Sequence, residues 1–238
     1  MEGKAPTART RARTEITAEI LKAARMRLRR HGPGELSLRA VARDVGMVSS
    51  AVYRYFPGRD QLLTALLVVA YNELGEAVEE ADAKINDQTA YLERWQAVCS
   101  AIRHWAVKHQ GDYALLYGSP VPGYAAPQDT IPAATRTTLV LIKIVLDAHA
   151  NGARITSAPS AAPAGLESTL GSALGFIKAL GLNDPPDAPE VVLRTIMAWS
   201  TIFGTISFEL FGHLVGSVSD YEKYFDQVVV RLAAELGL

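Results

Sequence analysis

One stretch of the sequence, Ser37–Phe56, carries most of the side chains that could make specific polar contacts. Its hydroxyl, phenol and guanidinium groups belong to Ser37, Arg39, Ser49, Ser50, Tyr53, Arg54 and Tyr55. Such groups donate hydrogen bonds to base edges and phosphate oxygens, and the small side chain of Ala51 allows a backbone to approach closely. The chemistry that this stretch indicates is therefore noncovalent recognition.

Two short helices must position these side chains. Ser37 is a good N-cap, and the apolar residues that follow it recur at helical spacing. Gly46 then ends the first helix, because glycine adopts the left-handed conformation without a steric cost. A second helix from about residue 48 to 55 carries Val52 on its apolar side. The pattern predicts a helix-turn-helix, although any two packed short helices would share it.

The charge distribution favours a helix-turn-helix over a mere pair of packed helices. The whole chain of 238 residues has a net charge of -1, but residues 1–60 hold 13 Lys and Arg against 6 Asp and Glu. Residues 61–238 hold 11 Lys and Arg against 19 Asp and Glu. A basic end on an acidic body is typical of a protein whose first part binds nucleic acid.

The rest of the sequence predicts an all-α protein with an N-terminal three-helix head and a C-terminal helical bundle. We divide it into a disordered basic arm (1–14), a helix-turn-helix domain (15–60) and a regulatory and dimerisation domain (61–238). The arm is either a solvated tail or a segment that lies along DNA. A long helix from Asp60 to Ala83, capped by Asp60, connects head and body. The most apolar run, Ile196–Phe208, is shorter than a membrane span requires, so we expect no membrane contact.

Signs of catalysis and of cofactors are weak. The segment Gly171–Gly175 has its serine one place too early for a nucleophile elbow. None of the five histidines forms an H-x-x-x-H pair, and Cys99 is the only cysteine. We therefore expect no metal site, no cofactor and no enzyme, although an all-α enzyme is kept as an alternative. The single cysteine and the polar N-terminus favour the cytoplasm.

The two last helices predict self-association. A helix over residues 190–215 is apolar nearly all round, so both of its sides must be covered. We expect its own core on one side and a second subunit on the other, although a thick monomeric core would also satisfy the pattern. The predicted interface residues are Trp199, Phe203, Ile206, Leu210, Tyr224, Val228 and Leu232.

The first sixty-odd residues resemble the TetR family of bacterial transcriptional regulators. The resemblance rests on SLRAVARDVGMVSSAVYRYF followed by PGRDQLL, and the YALLYGSPVPGY and WSTIFGTISFELFGHL segments are similar to one C-terminal subgroup. It implies an all-helical body that dimerises through its last two helices and holds a small-molecule pocket. The implied function is a homodimeric repressor that binds a pseudo-palindromic operator and is released by a ligand; repressor and activator are not distinguished. A regulator without an effector is the alternative.

The resemblance also implies individual roles. Ser37 corresponds to a phosphate-contacting cap, Arg39 to a base-reading position, and Tyr53 and Tyr55 to a phosphate-binding pair. Arg59 takes the place of a lysine that binds phosphate.

One departure concerns Val48, which replaces the usual Ser or Thr cap of the recognition helix. Ser49 is expected to take over capping, which leaves open whether Ser49 or Ser50 faces the bases. Since serine discriminates poorly between bases, Arg39 and Arg54 are the better candidates for a guanine contact, and Arg54 could equally bind phosphate. For the apolar or aromatic effector we predict a pocket lined by Trp95, Trp105, Tyr117 and Phe176, although each of these could be plain core.

Overall fold

The computed structural model describes residues 7–155, 165–182, 185 and 187–238, and every regular element in them is helical. The α-helices are α1 Ala8–His31, α2 Leu38–Asp44, α3 Ser49–Val52, α4 Arg59–Ala83, α5 Tyr91–Lys108, α6 Gln110–Tyr117, α7 Ile131–Ala150, α8 Leu166–Thr169, α9 Gly171–Ala179, α10 Ala188–Leu210 and α11 Tyr221–Leu236. Short 3-10 turns cover Pro33–Glu35 and Gln128–Thr130. The all-α class predicted from the sequence is confirmed.

The chain divides into two compact units whose borders differ from those predicted. The head unit contains the residues up to Tyr71 together with His109–Ala133. The second unit contains Asn72–Lys108 and Ala134–Leu238. The helix α6 and the loop after it therefore belong with the N-terminal helices, although they lie in the part of the sequence predicted to be regulatory.

The first helix begins earlier than predicted. The stretch from Ala8 to His31 contains no glycine or proline, and Thr7 accepts a hydrogen bond from the Thr10 amide at the N-cap. Residues 8–14 are therefore helical, and the prediction that they form a disordered arm is wrong. Residues 1–6 of that arm lie outside the described residues.

The core of the head unit joins α1, α2, α3 and α4. Its fully buried side chains include Ile20, Val41, Val52, Leu62 and Leu63, all at 0% exposure. The loop after α6 also enters this core, because Val121 is buried in it. The recognition helix is thereby fixed on a single hydrophobic cluster.

The second unit is organised around α5, α10 and α11. Trp95 on α5 is fully buried, and its indole N–H donates to the Val229 carbonyl of α11 over 3.1 Å. Arg94 forms a bidentate ion pair with Asp82 at 2.7 and 2.9 Å, with the arginine almost completely buried. The helix α10 ends at Leu210 and not at Val215, because Gly212 (φ +79°) turns the chain into the left-handed region.

By length and composition, one helix of the described residues could cross a membrane. This helix is α10, and 39% of its apolar window is buried inside the protein. With 23 residues, α10 is longer than the apolar run Ile196–Phe208 from which we expected no membrane contact. Because one of its sides packs against α5 and α11, a core helix of a folded domain accounts for the same pattern.

Candidate nucleic-acid interface

The recognition helix α3 begins at Ser49. Val48 occupies the N-cap position, and no side chain caps the helix. The expectation that Ser49 takes over capping is therefore wrong, since Ser49 is the first helical residue. Turn hydrogen bonds continue beyond the helix, for example from the Tyr53 amide to the Ser49 carbonyl at 3.1 Å. Ser50 is exposed whereas Ser49 is half-buried, so Ser50 presents its hydroxyl more openly.

Two apolar side chains fix this helix to the head. Val52 is fully buried and Phe56 is 7% exposed. Gly46 joins α2 and α3 with φ +66°, and a Cβ added there would meet nothing within 4 Å. The glycine is thus needed for its backbone conformation, as the sequence predicted, and not because a neighbouring side chain crowds it. Because Val52 faces the core, the opposite side of α3, which carries Ser50, faces solvent.

The helix α2 presents a second set of polar groups. Ser37 lies at its N-cap position with extended backbone, but its hydroxyl makes no capping hydrogen bond. The predicted capping bond is therefore absent, and the side chain is exposed. Arg39 is also exposed, two residues further on. Both side chains are accessible to a ligand at this edge of the head.

The end of the recognition motif carries two tyrosines in different surroundings. Tyr53 is 44% exposed, and Arg54 beside it is exposed. Tyr55 is half-buried against the head core, and the guanidinium carbon of Arg13 lies 5.4 Å from the centre of its ring. This distance is typical of a cation–π contact, which brings an arginine of α1 to the recognition motif.

Arg59 is placed differently from the expectation of a phosphate ligand. Its Nε donates to the Leu36 carbonyl at 3.1 Å, and its Nη2 donates to the carbonyls of Pro33 and Gly34 at 3.0 and 3.3 Å. The guanidinium therefore ties the start of α4 to the connection between α1 and α2. Because the helix begins at Arg59, Asp60 lies in its first turn and not at the predicted cap.

Two bidentate ion pairs position α1 within the head unit. Arg25 binds Asp112 of α6 with both N–O distances at 2.9 Å, and this carboxylate is 4% exposed. Arg27 binds Asp44 of α2 at a more exposed position, with one N–O distance of 2.9 Å. The hydrogen bond from Arg27 lowers the pKa of Asp44 and raises the pKa of Arg27. Both pairs keep arginines of α1 in fixed positions.

The loop after α6 contacts the connector helix. The hydroxyls of Thr64 on α4 and Tyr124 are 2.9 Å apart. Earlier in the same region, Tyr117 packs against the rings of Tyr71 and Tyr113, and burial raises its pKa. The YGSPVPGY segment is therefore built into the head unit and is not a free loop.

The four aromatic residues predicted to line an effector pocket do not line either of the two cavities described below. Trp95 and Trp105 are buried in the second unit, and Phe176 in that unit is 42% exposed, whereas Tyr117 belongs to the head unit. Two cavities in the described residues are lined by other side chains. One, of about 600 Å³, is lined by Leu146, Glu167, Leu174, Gly175, Ile177, Lys178, Pro185, Ala188, Pro189 and Val192. The other, of about 590 Å³, is lined by Asp60, Gln61, Thr64, Ala65, Val68, Val69, Tyr124, Ala125, Pro127 and Asp129.

The predicted dimer residues are only partly accessible. Phe203, Ile206 and Leu232 are buried within the single chain, so the structure assigns them to its own core. The other four, Trp199, Leu210, Tyr224 and Val228, are half-buried or exposed. Three further apolar side chains of this region, Met197, Phe208 and Phe211, were not among the predicted interface residues and are 55%, 54% and 47% exposed.

Within the described ranges, no group of three or more His, Cys, Asp or Glu side chains is arranged to hold a metal ion. Cys99 is fully buried, and burial raises the pKa of its thiol well above the usual value. The exposed polar groups of the head are instead donors on α2, α3 and the N-terminal part of α1. An exposed set of hydroxyl and guanidinium donors on a helix-turn-helix defines a DNA-binding head.

Comparison with known proteins agrees with this geometry. Residues 20–66 match the family model described as bacterial regulatory proteins, tetR family, and residues 95–232 match a tetracyclin repressor-like C-terminal domain. The chain belongs to the TetR family of DNA-binding transcriptional regulators.

Its relatives include the HTH-type transcriptional regulators Rv1816 of Mycobacterium tuberculosis and Mb1846 of Mycobacterium bovis. Each is 41% identical over 235 residues, which cover 95% of this chain and 94% of the relative. Among solved structures, the regulatory protein SCO4313 is 31% identical with a TM-score of 0.72, and the match covers 96% of this chain and 100% of that one. The similarity thus extends over both units.

Proposed function

We propose that this TetR-family regulator acts as a homodimer that binds a pseudo-palindromic operator through α2 and α3. The observation that carries the proposal is the exposure of Ser37, Arg39, Ser50, Tyr53 and Arg54 on α2, on α3 and just after α3, in a basic head. A dimer should read two half-sites about 34 Å apart, or a multiple of the helical turn. Selection of bound DNA from a random pool should therefore enrich an inverted repeat. Enrichment of no sequence would contradict operator recognition.

Arg39 should contribute base specificity. Because a bidentate guanidinium–guanine contact discriminates by about 1–3 kcal/mol, Arg39→Ala should relax the preference at one base pair in each half-site. The measurement is binding to a set of operators with single base-pair changes. Arg43→Ala, which removes another exposed arginine of α2, is the matched control and should leave the preference unchanged. Uniform weakening on all operators would mean that Arg39 binds phosphate.

The dimer should form through an exposed apolar stripe on α10. We define this stripe as Met197, Thr201, Gly204 and Phe208 of α10 together with Phe211, which directly follows the helix, and the spacing alternates between four and three residues. That spacing places them along one side of a helix. Gly204 leaves open space beside the backbone, which allows a partner helix to approach closely. Tyr224 on α11 is also exposed and extends the apolar surface available to a partner.

An effector is expected in the 600 Å³ cavity of the second unit. Its volume falls in the range of small-molecule sites, and most of its lining is apolar, with Leu146, Leu174 and Val192 among the contacts. Glu167 and Lys178 add one charge of each sign. An apolar or aromatic ligand with a polar group suits this lining. It would release DNA only if it bound the free state more tightly than the DNA-bound state.

Filling this cavity should abolish the response to an effector. Gly175 on α9 lines the cavity, and a Cβ built there meets nothing within 4 Å, so Gly175→Phe should add volume without strain in the fold. A library of apolar and aromatic compounds would be titrated against the protein–DNA complex, followed by fluorescence anisotropy. Compounds that release the wild type should not release Gly175→Phe. Gly171→Phe, on the same helix but outside the cavity lining, is the control and should still respond.

If no compound releases the wild type, the alternative of a DNA-binding regulator without an effector is favoured. We expect the chain to act by binding and not by catalysis, in the cytoplasm where its DNA is located. Turnover of a bound compound would instead support the enzyme alternative. The repressor role would be tested by transcription from a promoter that contains the selected operator.

A further inference from the structure

The first two turns of α1 carry an unusual charge pattern. Arg9, Arg11 and Arg13 are all exposed there, and the first turn contains no acidic residue. The N-terminus of a helix carries a partial positive charge, which favours Asp and Glu and disfavours basic side chains. The local sequence is therefore unfavourable for an isolated helix. Basic side chains at a helix N-terminus are expected where an anionic partner compensates their unfavourable position.

Arg13 connects this segment to the recognition motif. Its guanidinium lies over the ring of Tyr55, at 5.4 Å from the centre of the ring. Stacking on an aromatic face holds a planar guanidinium in place without neutralising its charge. The N–H groups at its edge stay able to donate to an anion. Tyr55 is half-buried, so it offers Arg13 a firm support next to α3.

Arg9 continues the same side of the helix. Residues four positions apart lie about one turn from each other on one side of a helix, so Arg9 and Arg13 form a row of two positive charges. Neither side chain forms an ion pair with a carboxylate of the described part of the chain. The row begins at Arg13, beside Tyr55 of the recognition motif, and continues one helical turn toward the N-terminus of α1. A polyanion that contacts α3 and continues past it would meet this row.

We propose that the first two turns of α1 form a second DNA contact, in which Arg13 and Arg9 bind backbone phosphates that flank each half-site. Arg13 is supported by Tyr55, and Arg9 extends the contact by one helical turn. This inference rests on DNA binding by the head but not on the choice of bases by Arg39. It lengthens the DNA site beyond the base pairs that α3 can reach and adds affinity for flanking duplex of any sequence.

The test compares single arginine variants on an operator selected from a random pool, with flanks of random sequence. Removing one phosphate-binding arginine should lower the slope of log K against log salt by about 0.9, and so weaken binding roughly tenfold at about 0.1 M salt. Arg9→Ala and Arg13→Ala should each show this change. Arg30→Ala removes an exposed arginine near the other end of α1 and is the control with an unchanged slope.

Two further measurements distinguish phosphate binding by these arginines from a loss of folding or a reading of bases. Arg13→Lys should keep the salt slope but lower the affinity, because lysine keeps the charge and loses the planar stack on Tyr55. Hydroxyl-radical footprints of Arg9→Ala should lose protection outside the half-site only. Unchanged slopes and footprints in variants that melt like the wild type would overturn the proposal, and so would weakening confined to particular flanking sequences. If the wild type selects no DNA at all, it is the proposed operator recognition that fails.

Discussion

Replacing Asp112 with alanine should destabilise the head unit by about 3 kcal/mol, because it leaves the guanidinium of Arg25 largely buried beside α6 without its counter-ion. The wild-type pair is bidentate, with both N–O distances at 2.9 Å, and only 22% of the arginine side chain and 4% of the aspartate side chain are exposed. Removing one partner of a buried pair costs more than the pair itself contributes, since the remaining charge keeps its desolvation penalty. The effect should be confined to the unit that holds α1.

Native-state hydrogen exchange of α1 amides is the appropriate measurement, because it reports the opening of this unit alone. The three tryptophans, Trp95, Trp105 and Trp199, lie in the second unit, so their fluorescence should change little in the variant. Asp44→Ala is the matched control: it removes the partner of Arg27 in a more exposed bidentate pair and should cost about 0.5 kcal/mol. Equal destabilisation by Asp112→Ala and Asp44→Ala would show that the buried ion pair with α6 stabilises α1 no more than the exposed pair with α2 does.

Phe208→Arg should dissociate the proposed dimer and, with it, high-affinity operator binding. Phe208 is 54% exposed and lies within the apolar stripe of α10. In a two-fold symmetric interface the same residue occurs twice, so the substitution would remove two aromatic contacts and place two unpaired charges in an apolar surface. A loss of about 2–4 kcal/mol, or roughly thirtyfold to a thousandfold in the dimer dissociation constant, is expected.

Sedimentation analysis of the variant should give a monomer at concentrations where the wild type is a dimer. Binding to a full operator should fall strongly, whereas binding to an isolated half-site should not change. Leu92→Arg places the same charge on an apolar side chain of α5 that is 39% exposed, and it should leave both properties intact. A variant that stays dimeric would exclude the α10 stripe as the interface.

The elements of the head could be predicted because their signals are local. Gly46, the apolar spacing before it, and Val52 lie within a few residues of each other, and backbone preference and helical period act over that distance. The side chains on the outward side of α3 could be named for the same reason. Capping was predicted less well: Val48 occupies the N-cap position, and the hydroxyl of Ser37 does not cap α2.

Contacts between distant segments could not be predicted. For Arg59, nothing in the sequence shows that the carbonyls of Pro33, Gly34 and Leu36 lie within its reach. The aromatic residues predicted to line an effector pocket pose the same problem. Aromatic side chains pack into cores and line pockets alike, and only the fold decides between the two.

By itself, the sequence determined an all-helical chain with a basic helix-turn-helix at one end and an apolar pair of helices at the other. Helical periodicity, turn residues and charge are properties of neighbouring residues, so they are visible without coordinates. Only the tertiary structure decided that α6 belongs to the head, since Arg25 and Asp112 are 87 residues apart. It also decided which side of α10 stays exposed, because a helix that is apolar all round does not show which of its sides its own chain covers.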